Sequence, residues 1–227
     1  MEKVFVAMSG GMDSSFAAYM LKEQGYEVVG VTFQLLPGFI KNVNNPKACC
    51  SLETVNRARR VAHDLSIRHY VINLKEEFEH YVIERFIEEY KAGRTPNPCV
   101  LCNKYIKFSA FFHKAMSLGA GKVATGHYAA IEETPGGWHL KKSRDASKDQ
   151  SYFLYPIAHD ALKATLFPLG NETKKELKER AHLIRWDTEK IRESQDICFI
   201  PEGDYRTFLS RFVQSRKGPA YFVDGTR

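Results

Sequence analysis

Two spacings of apolar residues alternate along the first half of the chain. Short continuous apolar runs, which are typical of buried strands, recur at Lys3–Met8, Glu27–Phe33, His69–Leu74 and Lys122–Gly126. The segments between them have apolar residues every three or four positions, which predicts helices at Ser14–Gln24, Ser51–Leu65, Glu76–Lys91 and Asn103–Leu118. Strand–helix units repeated in this way predict an α/β fold with a doubly wound, mostly parallel sheet.

The second half has a different pattern. Two short apolar segments, Ala129–Ile131 and Trp138–Lys142, flank the turn residues Thr134–Gly137, which predicts a β-hairpin. Further along the chain, a capping box at Thr173 predicts the start of a helix that ends at Ile184. The pattern then predicts a helix at Tyr205–Val213 and a strand at Tyr221–Val223, followed by turn residues. A strand and a turn at the very end indicate that the chain stops inside a domain.

Composition narrows the class of protein. Hydrophobic residues make up 44% of the 227 residues and charged residues 26%, an ordinary globular mixture. The net charge of +6 permits a polyanionic partner without establishing one. The N-terminus lacks the pattern of a signal peptide, and no apolar stretch approaches the ~20 residues that span a bilayer. We therefore expect a cytoplasmic protein with no membrane partner.

A glycine-rich turn, Ser9–Ser15, lies between the first predicted strand and the first predicted helix. In an open α/β sheet this is where nucleotides bind, because glycines let backbone amides approach phosphates and the helix dipole favours negative charge. The turn is neither a Walker A loop nor a dinucleotide fingerprint. A plain strand–helix turn is the alternative. The string SGGMDSS resembles the signature of the PP-loop ATP pyrophosphatases, which form adenylates and release pyrophosphate.

Five cysteines stand at positions 49, 50, 99, 102 and 198, an odd count that makes a poor disulfide framework. Cys99 and Cys102 form one Cys-x-x-Cys unit, which the pattern places in a loop just before a helix. Backbone amides at the start of that helix, together with Lys104 and Lys107, would stabilise a thiolate at Cys102. Two interpretations of this pair remain open: ordinary small residues in a loop, and redox or iron–sulfur chemistry. A structural zinc site is poorly supported, because no second cysteine or histidine pair supplies the remaining two ligands.

Apolar residues flank Cys198, and this local sequence is most typical of a buried core cysteine. Adjacent thiols rarely chelate one metal, so Cys49 and Cys50 are interpreted as structural or incidental.

Several sequence strings, taken in their order along the chain, resemble those of the tRNA-specific 2-thiouridylase family (MnmA/TrmU), within the PP-loop superfamily. The matching strings run from residue 4 to about 212: SGGMDSS, GVTF from Gly30, CCSLETVNRARRVA, RTPNPCVLCNKYIKF, ATGHY from Ala124, KDQSYFL from Lys148 and SQDICF from Ser194. The resemblance implies a PP-loop ATP-binding catalytic domain at 1–200, whose helical, tRNA-contacting part begins near 145, and the start of a truncated central domain at 201–227.

The family chemistry implied by this resemblance uses ATP with Mg²⁺ to adenylate the C2 oxygen of the wobble uridine in a tRNA anticodon stem-loop. A persulfide sulfur then replaces that oxygen to give 2-thiouridine. The sulfur donor would be a cysteine desulfurase or a sulfur-relay protein.

Residue by residue, the resemblance implies catalytic roles for Asp13, for Cys102 as nucleophile and for Cys198 as persulfide carrier. The ATP-binding positions would be Ala7, Met8, Ser9, Gly10, Gly11, Met12, Asp13, Ser14, Phe33 and Gly126. The tRNA-contacting positions would be Asn97, Pro98, Cys99, His127, Lys148, Asp149 and Gln150.

Cys99 departs from the family pattern, since many members carry Asp there. The change leaves three candidate thiolates, Cys99, Cys102 and Cys198, which is the ligand number for a [4Fe–4S] cluster with one open iron. Two mechanisms therefore stay open. In one, Cys102 resolves a persulfide on Cys198 through a transient disulfide; in the other, the three cysteines hold a cluster.

Two other classes of function compete with the thiouridylase. Another PP-loop adenylating synthetase or amidotransferase would not need the paired cysteines. A non-catalytic RNA-binding module would not convert ATP to AMP and pyrophosphate.

Overall fold

The computed structural model describes residues 1–40, 52–183, 197–200, 204–214, 219 and 222–224. A five-stranded parallel sheet forms its centre. Its strands are β1 (Lys3–Ala7), β2 (Glu27–Gln34), β3 (Arg68–Asn73), β4 (Lys122–Ala124) and β7 (Thr165–Leu166). Their order across the sheet is β3-β2-β1-β4-β7. The predicted α/β class with a mostly parallel sheet is confirmed, and β7 is a short strand that the sequence pattern did not indicate.

The described helices are α1 (Met12–Glu23), α2 (Leu52–Asp64), α3 (Lys75–Phe78), α4 (Arg85–Lys91), α5 (Pro98–Leu101), α6 (Phe112–Ser117), α7 (His159–Lys163), α8 (Lys174–Leu183) and α9 (Tyr205–Leu209). Most lie in the predicted helical segments, but α7 was not predicted, α5 begins before the predicted start at Asn103, and α9 ends at Leu209 instead of Val213. Two π-helical stretches, Glu79–Glu84 and Cys102–Phe111, join α3 to α4 and α5 to α6. Wide turns of this kind are common at functional sites.

The predicted hairpin is confirmed. Strands β5 (Ala130–Thr134) and β6 (Gly137–Lys141) pair antiparallel, with Thr134 opposite Gly137. The capping box is confirmed as well. The backbone N–H of Thr173 donates to Glu176 Oε2 at 2.8 Å, and the N–H of Glu176 donates to Thr173 Oγ1 at 3.2 Å. Ile184, the predicted end of that helix, lies outside the described residues.

The largest hydrophobic cluster lies between the sheet and the helices from α3 to α6. Phe199, from the segment after α8, contacts Phe78 and Phe86 at ring-centroid distances of 5.8 and 5.3 Å. Phe208 of α9 contacts Phe199 at 5.5 Å, so α9 packs on the same cluster. The predicted domain boundary at residue 200 stays a prediction. The predicted strand at 221–223 falls partly outside the described residues, and Val223–Asp224 form a turn.

Within the part of the chain that the structure describes, no helix is both long enough and apolar enough to cross a membrane.

Candidate active site

The glycine-rich turn connects β1 to α1, as its position in the sequence predicts. Gly11 is the residue before the first turn of α1, and Gly10 has a φ of +69°. A Cβ at Gly10 would collide with the carbonyl oxygen of Thr54 and approach Cβ of Arg57 to 3.1 Å. Glycine is therefore required at position 10, both for its backbone conformation and for the close packing of the turn on α2.

The hydroxyl of Ser14 holds the turn in this shape. Ser14 Oγ accepts a hydrogen bond from the N–H of Ser9 at 3.1 Å and donates to the carbonyl of Gly11 at 3.1 Å. The first amides of a helix have no partners within the helix, and the dipole there favours an anion. The turn thus presents backbone donors of the kind that bind phosphate.

Gly126 closes the other side of the turn. It follows β4, which pairs in parallel with β1 through Val6 opposite Ala124. A Cβ on Gly126 would lie 2.6 Å from the carbonyl carbon of Asp13 and from the nitrogen of Ser14. The placement of Gly126 against the turn agrees with what the sequence predicts, and only glycine permits it.

Asp13 lies in the first turn of α1 and is one-third exposed. Its Oδ1 accepts hydrogen bonds from Lys174 Nζ at 2.6 Å and from the Tyr128 hydroxyl at 3.0 Å. Lys174, the first residue of α8, is buried. Neither Lys174 nor Tyr128 was singled out from the sequence. The lysine stands in a capping box whose spacing explains a helix start but not a contact with a residue 161 positions away.

His127 is held between an amine and a hydroxyl. Lys107 Nζ lies 3.2 Å from Nε2, and Thr125 Oγ1 lies 2.5 Å from Nδ1. An ammonium only donates, so Nε2 accepts from Lys107 and Nδ1–H donates to Thr125. Burial, and secondarily the positive charge of Lys107, lowers the pKa of His127 well below its usual value. The imidazole is therefore neutral at pH 7, beside Gly126.

A second histidine, His69, contacts the residue before the turn through Thr32. The Thr32 hydroxyl donates to the carbonyl of Met8 at 2.7 Å, and His69 Nε2 lies 2.9 Å from the same hydroxyl. Burial, and then the charge of Arg59, lowers the pKa of His69. Phe33, a predicted nucleotide-side residue, buries its ring against Phe111 at 4.9 Å.

The cysteine pair corrects one prediction. Helix α5 begins at Pro98, and the side chain of Asn97 caps it by accepting from the N–H of Cys99 at 3.1 Å. Cys99 and Cys102 therefore lie in a helix, not in a loop before one. The helix starts four residues before Cys102, so Cys102 does not precede the helix start as predicted, and its N–H donates to the carbonyls of Cys99 and Pro98. The predicted stabilisation of a Cys102 thiolate stays a prediction. Asn97 and Pro98 start the helix earlier than the apolar pattern indicates.

The three cysteines differ in exposure. Cys99 is exposed, whereas Cys102 and Cys198 are half-buried, and all three are thiols. Cys102 and Cys198 pack against the same hydrophobic cluster, to which Phe33 also belongs. The described residues include all three cysteines, yet hold no group of three His, Cys, Asp or Glu side chains that could bind a metal ion. The three-cysteine cluster therefore stays a prediction.

The predicted tRNA-contacting segment, Lys148–Gln150, is largely occupied with its own structure. Asp149 accepts from the N–H of Ser143 at 2.7 Å and from the hydroxyl of Ser151 at 2.7 Å. Gln150 Oε1 accepts from the N–H of Tyr128 at 3.0 Å. Gln150 therefore ties the segment to Tyr128, whose hydroxyl contacts Asp13 of the turn, whereas Asp149 ties it to Ser143 and Ser151.

Known proteins are similar in sequence to this chain over most of its length. A family model described as the tRNA methyl transferase HUP domain matches residues 2–202. The chain belongs to this family. Among curated relatives, the tRNA-specific 2-thiouridylase MnmA of Halothermothrix orenii is 47% identical over 228 residues, 99% of this chain and 64% of the relative. A protein named tRNA-specific 2-thiouridylase MnmA 2, from Clostridium tetani, is 48% identical over 98% of this chain and 62% of its own length.

The resemblance inferred from the sequence is confirmed by these matches. The chain spans somewhat less than two thirds of the length of these curated relatives. The name of the family refers to methyl transfer, whereas the names of the relatives refer to thiolation.

Solved structures share the fold. A 4-thiouridine synthetase in complex with RNA and bound ATP aligns with a TM-score of 0.57 at 18% identity, covering 92% of this chain and 50% of that one. A predicted tRNA methyltransferase subunit from Methanocaldococcus jannaschii aligns with a TM-score of 0.50 at 20% identity, over 80% of this chain and 75% of that one.

Proposed function

We propose that this chain is the catalytic part of an ATP-dependent tRNA-uridine 2-sulfurtransferase. One observation carries the proposal: Cys102 and Cys198, which are 96 positions apart in the sequence, both pack against one hydrophobic cluster that also contains Phe33. A synthetase or amidotransferase has no use for two thiols at that place. The names of relatives about 47% identical over nearly the whole chain support the same chemistry.

ATP would bind at residues 7–14, with the phosphates at the first turn of α1. The steric limits at Gly10 and Gly126 support this assignment, because both keep side chains out of the approach to the turn. The ring of Phe33 is buried, so a contact with the nucleotide at this position would come from its backbone. Mg²⁺ is usually held by phosphates and one or two carboxylates, and Asp13 offers a carboxylate at the right place.

The reaction would have two stages. The C2 oxygen of the wobble uridine attacks the α-phosphate of ATP, pyrophosphate leaves, and C2 becomes an electrophile. The terminal sulfur of a persulfide on Cys198 then bonds to C2, and AMP leaves with the oxygen. Attack of the Cys102 thiolate on Cys198 Sγ breaks the sulfur–sulfur bond, which leaves 2-thiouridine and a Cys102–Cys198 disulfide. A thiol reductant restores both thiols.

The tRNA would approach from the side of the exposed residues Asn97 and Cys99. Lys148 lies in the segment that Gln150 anchors beside Tyr128, so a phosphate contact there would be close to the turn. Both ring nitrogens of the neutral His127 are paired with Lys107 and Thr125, so a contact of this residue with RNA would not be an ionic one. The sulfur donor would be a desulfurase or relay protein that can reach Cys198. We place this function in the cytoplasm.

The test is an assay of the chain with a tRNA transcript, ATP, Mg²⁺ and a small-molecule persulfide donor. We expect AMP and pyrophosphate in amounts matching the 2-thiouridine found by nucleoside mass spectrometry. A transcript with cytidine at the wobble position is the control. Methylated uridine formed from a methyl donor, or AMP formed without the need for Cys102 and Cys198, would contradict the proposal.

A further inference from the structure

Asp13 creates an electrostatic problem for the nucleotide site. Its carboxylate lies in the first turn of α1, next to the backbone donors that would hold the phosphates. The helix N-terminus favours negative charge there, but a triphosphate brings several charges of the same sign as the carboxylate. Like charges at short range repel, so the carboxylate would weaken ATP binding unless another group offset it.

Lys174 is placed to offset that charge. Its ammonium lies 2.6 Å from Asp13 Oδ1, and its side chain is only 9% exposed, so the interaction is poorly screened by water. The Tyr128 hydroxyl donates to the same oxygen at 3.0 Å, which fixes the orientation of the carboxylate. Lys174 Nζ also lies 5.8 Å from the centre of the Tyr128 ring.

The position of Lys174 is fixed by the start of α8. Its backbone N–H donates to Asp145 Oδ2 at 2.9 Å, and this bond is the main reason that the pKa of Asp145 is lowered. The capping box of Thr173 and Glu176 fixes the same turn of the helix. The ammonium therefore reaches Asp13 from a helix end that is itself held in place.

We propose that Lys174 is a positioning residue of the nucleotide site, which neutralises Asp13 and holds its carboxylate so that a nucleoside triphosphate can bind at the glycine-rich turn. The inference rests on the proposed function, since it concerns the same ATP. Lys174 acts through Asp13, and it is not a direct ligand of the phosphates.

The experiment measures the dissociation constant of ATP by calorimetry in EDTA, so that Mg²⁺ does not mask the charge of Asp13. Lys174→Met should weaken binding by about tenfold or more, because one close charge interaction is lost. Lys174→Arg keeps the charge and should bind within about threefold of the unaltered chain. Lys175→Met is the matched control on the same helix; its side chain is 87% exposed, and we expect no change.

The double variant Asp13→Asn with Lys174→Met distinguishes action through Asp13 from direct phosphate binding. Removing the carboxylate removes the repulsion, so the double variant should bind ATP at least about threefold more tightly than Lys174→Met alone. Equal or weaker binding by the double variant would overturn the inference. Thermal unfolding of every variant identifies a loss of fold, and Lys174→Arg tests the charge if the methionine variant does not fold.

The failures are distinguishable. If the unaltered chain binds no ATP either in EDTA or with Mg²⁺, the proposed function fails and the inference fails with it. If it binds ATP with Mg²⁺ but not in EDTA, the metal and not Lys174 offsets the charge of Asp13, and only the inference fails. If the unaltered chain binds ATP and Lys174→Met binds it equally well, only the inference fails.

Discussion

The glycine-rich turn and the cysteine segment, residues 97–102, are built in opposite ways. The turn is defined by its backbone. Gly10 and Gly126 each lie so close to neighbouring main chain that a single added carbon would collide with it. The cysteine segment is defined by side chains. Asn97 and Cys99 are exposed, and one cap hydrogen bond together with the buried ring of Pro98 holds the helix start.

This difference separates two kinds of requirement. Backbone recognition of phosphates depends on shape, so the turn and its packing are coupled to the stability of the fold. Sulfur transfer depends on reactive atoms, which need exposure to the substrate more than support from the core. Substitutions in the turn should therefore affect stability and ATP binding together, whereas substitutions of the thiols should affect turnover alone.

The largest expected effect is on turnover. Cys198→Ser or Cys102→Ser should lower formation of 2-thiouridine by at least about a thousandfold, because a hydroxyl neither carries nor resolves a persulfide. The free energy of unfolding should change by less than about 1 kcal/mol, since both cysteines are half-buried and serine is nearly isosteric. Nucleoside mass spectrometry and urea unfolding measure the two quantities on the same samples.

Cys99→Ser is the matched control for the thiols. The persulfide mechanism does not use the Cys99 thiol, and serine keeps a side chain of nearly the same size where Cys99 would face the tRNA, so thiolation should remain within about threefold of the unaltered chain. A loss as large as that of Cys102→Ser, together with iron in anaerobically purified protein, would contradict the two-cysteine mechanism.

The next effect is on the turn. Gly126→Ala puts a Cβ 2.6 Å from the backbone of Asp13 and Ser14, so either β4 or α1 must shift. We expect a loss of about 2–3 kcal/mol in the free energy of unfolding and a loss of ATP binding of at least about tenfold. Urea unfolding and calorimetry measure these changes. Gly38→Ala is the control, because nothing lies within 4 Å of its added carbon.

The same contrast explains what could be predicted from the sequence. The strand–helix alternation and the turn at Ser9–Ser15 follow from local apolar spacing and from glycine chemistry, which act over a few residues. Gly126 was predictable because a parallel sheet places the carboxyl ends of β1 and β4 side by side. The helix start at Pro98 was missed, although Asn97 followed by proline is a local signal for it.

Contacts between distant segments could not be predicted in this way. Lys174 reaches Asp13 across 161 positions, and its sequence context indicates only a helix start. The amine of Lys107 beside His127 likewise depends on how the helix at 102–111 packs against the residues after β4. Such pairs depend on tertiary packing, which no periodicity of apolar residues encodes.

A smaller effect concerns the cysteine segment. Asn97→Ala removes the cap of α5, which should cost about 1 kcal/mol in local stability. Hydrogen exchange of the amides in residues 98–102 should become roughly fivefold faster, with little change in global unfolding. Thr95→Ala, at an exposed position in the same loop, is the control. A drop in global stability as large as that of Gly126→Ala would show that the two regions are not built differently.

The smallest effect is the dependence of stability on pH. The pKa values of His69 and His127 are lowered in the folded state, so below about pH 6.5 the unfolded chain binds protons that the folded chain does not. Their contribution to stability is full above that pH and is lost as pH falls toward the folded pKa values. The loss is about 1.4 kcal/mol for each tenfold difference in proton affinity between the folded and unfolded chains. Urea unfolding from about pH 7.5 down to about pH 5 measures the slope.

We attribute this pH dependence of the free energy of unfolding to histidines beside the turn and not to the cysteine segment. His69 contacts Thr32, whose hydroxyl donates to the carbonyl of Met8, and His127 follows Gly126, so both rings lie beside residues of the turn. His69→Gln and His127→Gln should each flatten the loss of stability below about pH 6.5. His63→Gln is the control, since the side chain of His63 is 91% exposed and should leave the slope unchanged. Equal slopes in all three variants would mean that burial at the turn does not set this dependence.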